Sequence, residues 1–291
     1  MNKHLIIDGN YLMFQSFHAS YNPNFFMQNS AGIPTNAINL FLIQMIKLIK
    51  YYQPTHLFIA FDSKEKSFRH ELYDNYKEGR SKAPNELFIQ FDLIKQILSK
   101  LNIVHQEQPG YEADDLVAAY CKLAANDETK IIFSRDKDLH QLIDQNTSVI
   151  IKDKTNNEYA LLTDQNYFDN YNFYPNQVPD FKALAGDSSD NLPGVKGIGE
   201  KTAINILNLY GNIKNLYQDQ ASWPVNLTKS VIKKITENQA DAEFCYKMAT
   251  LNPNVENFDV NLEKYELKIN LNNALDLLTE LELKTVISYL K

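Results

Sequence analysis

Glu112, Asp114 and Asp115 place three carboxylates within four residues, directly before the helical apolar spacing of Leu116, Val117, Tyr120 and Leu123. Two readings stand open for them. Acids at a helix start cap free N–H groups and offset the macrodipole, and they are also hard oxygen ligands for a divalent cation. Other carboxylates bear on the choice. Asp8, Asp62 and Asp136 each follow a short apolar run (residues 4–7, 56–61 and 130–133) that reads as a buried strand, and Asp138 lies two residues further on. One Asp after a strand is ordinary turn chemistry; three of them, with the trio, point to a pocket. Asp187 and Asp190 bracket Ser188-Ser189 later in the chain.

The charge count supports a single acidic site. The 291 residues carry a formal charge of −7, yet without these nine carboxylates 27 acidic residues remain against 29 basic ones. Nine carboxylates in one pocket repel one another unless cations neutralise them. An all-oxygen set suits Mg²⁺ or Mn²⁺ rather than zinc. Nine exceed the needs of one ion, so two divalent cations are expected, some ligands acting through water. Two ions fit phosphodiester hydrolysis, one lowering the pKa of a bound water and the other stabilising the leaving oxygen. The six His are scattered, and no Ser/His or Cys/His pair competes as a nucleophile.

The elements that must hold these groups alternate. Beyond the three strands ending in Asp, short strands are expected at 103–105, 148–152 and 159–162. Amphipathic helices are expected from Thr35 (Ala37, Leu40, Phe41, Met45, Leu48, Ile49) and from Asn85 (Phe88, Phe91, Ile94, Leu98). The stretch between Asp8 and Thr35 reads as turn-like and polar. Strands alternating with helices imply an α/β fold with a mainly parallel sheet flanked by helices. Such sheets bind ligands beyond the carboxyl ends of their strands, where these aspartates sit. From about Asn176 the chain reads as all helix, so residues 1–174 are expected to form the catalytic core and 175–291 a helical C-terminal region.

Two segments are locally basic: 64–82 carries six Lys/Arg against four Asp/Glu, and 196–234 six against two. Basic segments suit nucleic-acid phosphates. In the first, Arg69, Lys77 and Arg80 are candidates to contact a scissile phosphate, while Phe68, Tyr73 and Tyr76 either stack on unpaired bases or pack the segment itself. The second begins with a glycine-rich turn. Gly197 and Gly199 let backbone approach a phosphate, Lys196 and Lys201 add charge, and Thr202 lies at the following helix start. A plain helix hairpin with a tight turn has the same pattern. Hydrophobic content of 44% and charged content of 22% are ordinary for a globular protein. The longest apolar run, residues 40–49, is broken by Gln44 and Lys47, and no basic leader precedes the first strand, so neither a membrane span nor a secretory signal is expected. Cys121 and Cys245 are expected to be reduced thiols, and the compartment cytoplasmic.

These residues together resemble the bacterial and phage 5′-nucleases: the 5′→3′ exonuclease domain of DNA polymerase I and the related flap endonucleases. The resemblance rests on Ile7-Asp8-Gly9, Phe61-Asp62-Ser63, Ser67-Phe68-Arg69-His70-Glu71 with Tyr76-Lys77 and Arg80, Gly110-Tyr-Glu-Ala-Asp-Asp115 and Asp136-Lys-Asp138-Leu. It also rests on Gly186-Asp-Ser-Ser-Asp-Asn-Leu-Pro-Gly-Val-Lys-Gly-Ile-Gly-Glu-Lys-Thr-Ala203. It spans nearly the whole chain. It implies a PIN-like core, a helical arch at about 63–88 with Lys77 as its catalytic lysine, and a DNA-binding helix–three-turn–helix at about 179–210. Asp8, Asp62, Glu112, Asp114 and Asp136 would lie around one divalent ion, Asp138, Asp187 and Asp190 around a second, and Asp115 near both. Backbone carbonyls of the turn, at Val195 and Ile198, would hold a monovalent cation such as K⁺. The implied activity is metal-dependent 5′→3′ exonuclease and flap cleavage on duplexes with a 5′ end, flap or nick, an RNA primer strand included. The implied form is a monomeric, free-standing nuclease. The chain departs from the pattern at Phe14-Gln15, where such proteins usually carry Tyr-Arg, and at Arg135, where small residues are common. A branched-DNA binder with impaired catalysis and a PIN-type ribonuclease are the alternatives; the module at 187–203 argues against the second.

Overall fold

A computed structural model describes residues 2–22, 24–79, 83–152 and 159–291 of the chain. The first half runs β1 (Lys3–Asp8), α1 (Gly9–Ser20), α2 (Asn36–Tyr52), β2 (His56–Ala60), α3 (Phe68–Leu72), α4 (Asn85–Lys100), β3 (His105–Gln106) and α5 (Ala113–Leu123). Then come β4 (Thr129–Phe133), a 3₁₀ turn at Asp138–Leu142, β5 (Thr147–Lys152), β6 (Tyr159–Leu162), α6 (Asp164–Tyr171) and α7 (Val178–Ala185). The remainder is helical: α8 (Glu200–Tyr210), α9 (Ile213–Gln218), α10 (Trp223–Asn226), α11 (Lys229–Glu237), α12 (Gln239–Ala249), α13 (Leu271–Glu280) and α14 (Lys284–Leu290).

The strands form one sheet in the order β3-β2-β1-β4-β5-β6, parallel except for the antiparallel β5–β6 pair. Both faces are covered, which is why β1 reads as an unbroken apolar run: Leu5, Ile6 and Ile7 are fully buried. Alternate residues face opposite cores. Ile6, Phe58 and Ile132 pack with α5 and much of the C-terminal half, whereas Leu5, Ile7, Leu57 and Ile59 pack with α1, α2, α4, α13 and α14. Each fully buried Leu or Ile contributes about 1.5–3 kcal/mol. After α12 the chain returns, and α13 and α14 pack on α4 and α2 of the first half.

Register puts the candidate residues at one edge. Asp8 pairs with Ala60 across β1–β2, and Ile7 with Phe133 across β1–β4, so Asp8, Asp62 and Asp136 leave the sheet side by side. α1 differs from the turn-like reading of that stretch. Asp8 caps it, accepting from the Tyr11 N–H at 2.8 Å, and Leu12, Met13 and Phe17 form its buried face. The interposed Gln15, Ser16, His18 and Ser20 dilute the apolar period. The segment expected to be a helical arch holds, among the described residues, only the five-residue α3 and turns over 74–79 before α4. Its sequence lacks apolar periodicity, and Lys77 and Gly79 take positive φ.

Candidate active site

Hydrogen bonds knit the strand ends together. Asp8 Oδ2 accepts from Ser134 Oγ at 2.7 Å, and the same hydroxyl accepts the Asp136 N–H at 3.0 Å. Asp62 accepts from the Asn10 side chain at 2.7 Å and from the Ala113 N–H at 2.8 Å, which ties β2 to the starts of α1 and α5. Gly9 makes this possible: a Cβ there would lie 2.5 Å from the Phe61 ring that packs across the β1–α1 junction. Asp136 Oδ1 accepts the Asp138 N–H at 2.9 Å.

The loop after α7 brings in the last two carboxylates. Asp187 and Leu192 bridge through hydrogen bonds of 2.9 and 2.8 Å, a tight excursion that needs Gly194 against Gly186. Gly194 has φ +60°, and a Cβ on it would fall 2.3 Å from the Gly186 nitrogen, so only glycine fits. Two carboxylate triads result. Asp114, Asp136 and Asp138 offer oxygens within 4.8 Å of one another, and so do Asp138, Asp187 and Asp190, with Asp138 in both. Asp8, Asp62, Glu112, Asp114 and Asp136 line one cleft of about 360 Å³ together with Tyr11, Phe14, Lys77 and Arg135.

Electrostatics mark the pocket as built for cations. Burial, with Asp62 and Asp136 nearby, pushes the Asp8 carboxyl up to about 7. Burial followed by Asp136, Asp8 and Asp138 raises Asp114 well above the carboxylate range. Asp138 is pushed up to about 7 by burial and by Asp136 and Asp190, although Lys182 opposes this. Two carboxylates go the other way. Burial opposes the charge on Glu112, but Lys77 and Arg69 outweigh it and hold the group below its usual value. Burial likewise opposes the charge on Asp187, which Lys182 and Ser189 hold at about 2. Carboxylates that resist ionisation against one another, with oxygen donors alone, fit hard divalent cations.

One sequence expectation needs correction, and a second residue has a partner that was not foreseen. Arg69, a candidate to contact a scissile phosphate, is 2% exposed and every guanidinium N–H is engaged. It grips both Asp115 oxygens at 2.7 and 2.9 Å, meets Glu112 at 3.4 Å, and donates to the Met248 and Thr250 carbonyls at 2.9 and 3.1 Å. Asp115, expected near both ions, is fully buried and also accepts the Asn252 and Glu112 N–H groups at 2.8 and 3.2 Å. This pair is a clamp that fastens the start of α5 to α3 and the end of α12. The aromatics resolve as packing. Tyr76 is buried and donates to Glu112 or Asp190, each 3.1 Å away, Phe68 lies against Tyr111 and the Arg69 guanidinium, and Tyr73 meets Phe244. Lys77 does enter the cleft, its Nζ 3.0 Å from Glu112. Arg80 lies outside the described residues.

At the glycine-rich turn the Val195 and Ile198 side chains are buried, while Lys196, Gly197, Gly199 and Lys201 are exposed and Thr202 half-buried. Lys234 Nζ donates to the Gly197 carbonyl at 2.8 Å, so a resident ammonium already sits on this turn. Sequence reasoning missed that contact. It also missed Lys182, whose ammonium contacts Asp138 and Asp187. Its one signal was a lone cation five residues before Asp187 in an apolar helix. Burial disfavours the Lys182 charge, but Asp138 and Asp187 outweigh this and hold it firmly protonated.

Fold and site together define the class, a PIN-like nuclease with a helical, SAM-like C-terminal portion. Residues 3–172 match the 5′-3′ exonuclease N-terminal resolvase-like domain, and residues 173–273 match the C-terminal SAM fold of the same family. The 5′-3′ exonuclease of Bacillus subtilis is 35% identical over 98% of this chain and 95% of its own length. That of Mycoplasmopsis pulmonis is 37% identical over 94% and 88%. Among solved structures, zinc-bound T5 5′-exonuclease superposes with a TM-score of 0.67 at 21% identity, covering 99% of this chain and 100% of that one. The catalytic core of Rad2 with DNA substrate superposes at 0.62, with 16% identity over 99% and 91%. The chain belongs to the 5′-3′ exonuclease family. Among the described residues, no helix is long and apolar enough to cross a membrane.

Proposed function

We propose that this 5′→3′ exonuclease hydrolyses DNA at or near 5′ ends, flaps included, with two divalent cations, Mg²⁺ or Mn²⁺, held in the acidic pocket. The observation that carries this is the pair of carboxylate triads sharing Asp138 at the carboxyl edge of the sheet. Asp8, Asp62, Glu112, Asp114 and Asp136 are the residues to hold one ion, and Asp138, Asp187 and Asp190 those to hold the other. When bound, the ions supply a water made acidic enough to act as nucleophile and a counter-charge for the leaving oxygen.

The chain's own groups do the rest. Lys77 and Arg135 line the cleft and supply positive charge for the phosphate. Tyr11 lines it too, so a phenol and a guanidinium remain at hand although Phe14-Gln15 replaces the usual pair; Gln15 donates to the Tyr11 hydroxyl at 2.7 Å. The exposed turn at Lys196, Gly197, Gly199, Lys201 and Thr202 is the surface for duplex phosphates. K⁺ at the Val195 and Ile198 carbonyls would add charge there beside Lys234. The Arg69–Asp115 clamp holds the start of α5, which carries Glu112 and Asp114 into the cleft. We place the enzyme as a monomer in the cytoplasm.

The test is a 5′-labelled flap duplex incubated with Mg²⁺, with Mn²⁺ and with chelator. Short 5′ products that need the metal are the expected result. Tight binding without metal-dependent product would establish a DNA-binding protein, and equal cleavage of single-stranded RNA a ribonuclease.

A further inference from the structure

Lys182 lies on α7 with its side chain 10% exposed, and its ammonium contacts one oxygen each of Asp138 and Asp187. Both belong to the triad completed by Asp190. The charge thus sits on the triad itself rather than beside it. A buried ammonium held by two carboxylates satisfies them well, and an added divalent cation in the same place would be repelled by it. The lysine stem has four rotatable carbons, so the ammonium can leave without moving the backbone of α7.

We propose that Lys182 is the resident cation of the Asp138–Asp187–Asp190 triad: its ammonium neutralises the triad while no divalent ion is bound and must withdraw for one to bind. The inference rests on reading that triad as a metal site. Lys182 then sets the affinity of the second site. If the ammonium is out for about a tenth of the time, the apparent affinity is lowered about tenfold. Once displaced, Lys182 is a cation at the rim of the pocket, available to a substrate phosphate. Loading of the second ion would then be favoured by bound DNA, because the phosphate offers the ammonium a new partner.

The experiment counts Mn²⁺ bound to the full chain, using the electron paramagnetic resonance signal of free Mn²⁺, for wild type and Lys182→Met. The expected result is two classes of site in wild type, with the weaker class tightened about tenfold in Lys182→Met and the tighter class changed less than about twofold. A weaker class that is unchanged or lost in Lys182→Met, while present in wild type, overturns the proposal. Absence of a second class in both proteins overturns the metal reading of the triad instead. Thermal unfolding guards against a misfolded variant. Lys182→Met should be less stable than wild type in chelator, because Asp138 and Asp187 then face each other uncompensated, and should gain more from Mn²⁺. A variant that stays unfolded in saturating Mn²⁺ would make Lys182 a fixed strut and refute its displacement.

Discussion

At the scale of single residues, the acidic cluster divides into carboxylates whose ionisation the pocket opposes and those served by a fixed guanidinium. Asp8 and Asp138 have their carboxyl pKa raised from 3.8 to about 7 by burial first and by neighbouring carboxylates second. Below that value they hold protons and cannot ligate; above it they are charged and each is repelled by Asp136, so divalent binding must release protons. The apparent affinity for Mg²⁺ should therefore rise as pH increases through about 7, with proton uptake by buffers of different ionisation enthalpy measured calorimetrically. An affinity that is flat or falls over that range would count against these two groups as ligands. Arg69 and Asp115 belong to the served groups. Arg69→Ala leaves Asp115 charged, buried and unpaired, and should cost about 3–5 kcal/mol of stability in a denaturant titration. A variant of wild-type stability with only slowed cleavage would return Arg69 to the phosphate. The sequence shows all of these residues but not which acid faces which cation, because the Arg69 partners lie 43, 46, 179 and 181 positions away.

At the scale of elements, the strands that end in Asp were legible because burial on both faces leaves a continuous apolar run, and the parallel sheet follows from the helices between them. α1 was not legible, since its start at Asp8-Gly9 reads equally as a strand end, and its large buried apolar side chains are just Leu12, Met13 and Phe17. The short α3 was not legible either, because tertiary bonds from Arg69 and Tyr76 fix that segment rather than any local period. The loop after α7 was recognisable from its glycines, and the structure gives the reason for two of them. Gly194→Ala would drive a Cβ to 2.3 Å from the Gly186 backbone, displacing Asp187 and Asp190. The expected outcome is a loss of at least about 1 kcal/mol together with weakened binding of the second divalent ion, read by denaturation and metal titration. Wild-type stability and metal binding in that variant would show that the glycine pair is not what sets the loop.

At the scale of the molecule, one sheet carries two cores, and the cleft opens where its strands end. The net charge of −7 hides the arrangement, since acid is gathered in the pocket and basic residues are in excess over 64–82 and 196–234. That much was readable from the sequence. The return of α13 and α14 onto α2 and α4 was not, because amphipathic helices state that they need a partner and not which one. The most direct measurement of the whole arrangement is single-turnover cleavage of a 5′-labelled flap duplex as free Mg²⁺ is raised from a chelated start. Two carboxylate triads require no product in chelator and a rate that climbs more steeply than first order in Mg²⁺ before it saturates. Cleavage that persists in chelator, or duplex that binds and is never cut at any Mg²⁺ concentration, would contradict it.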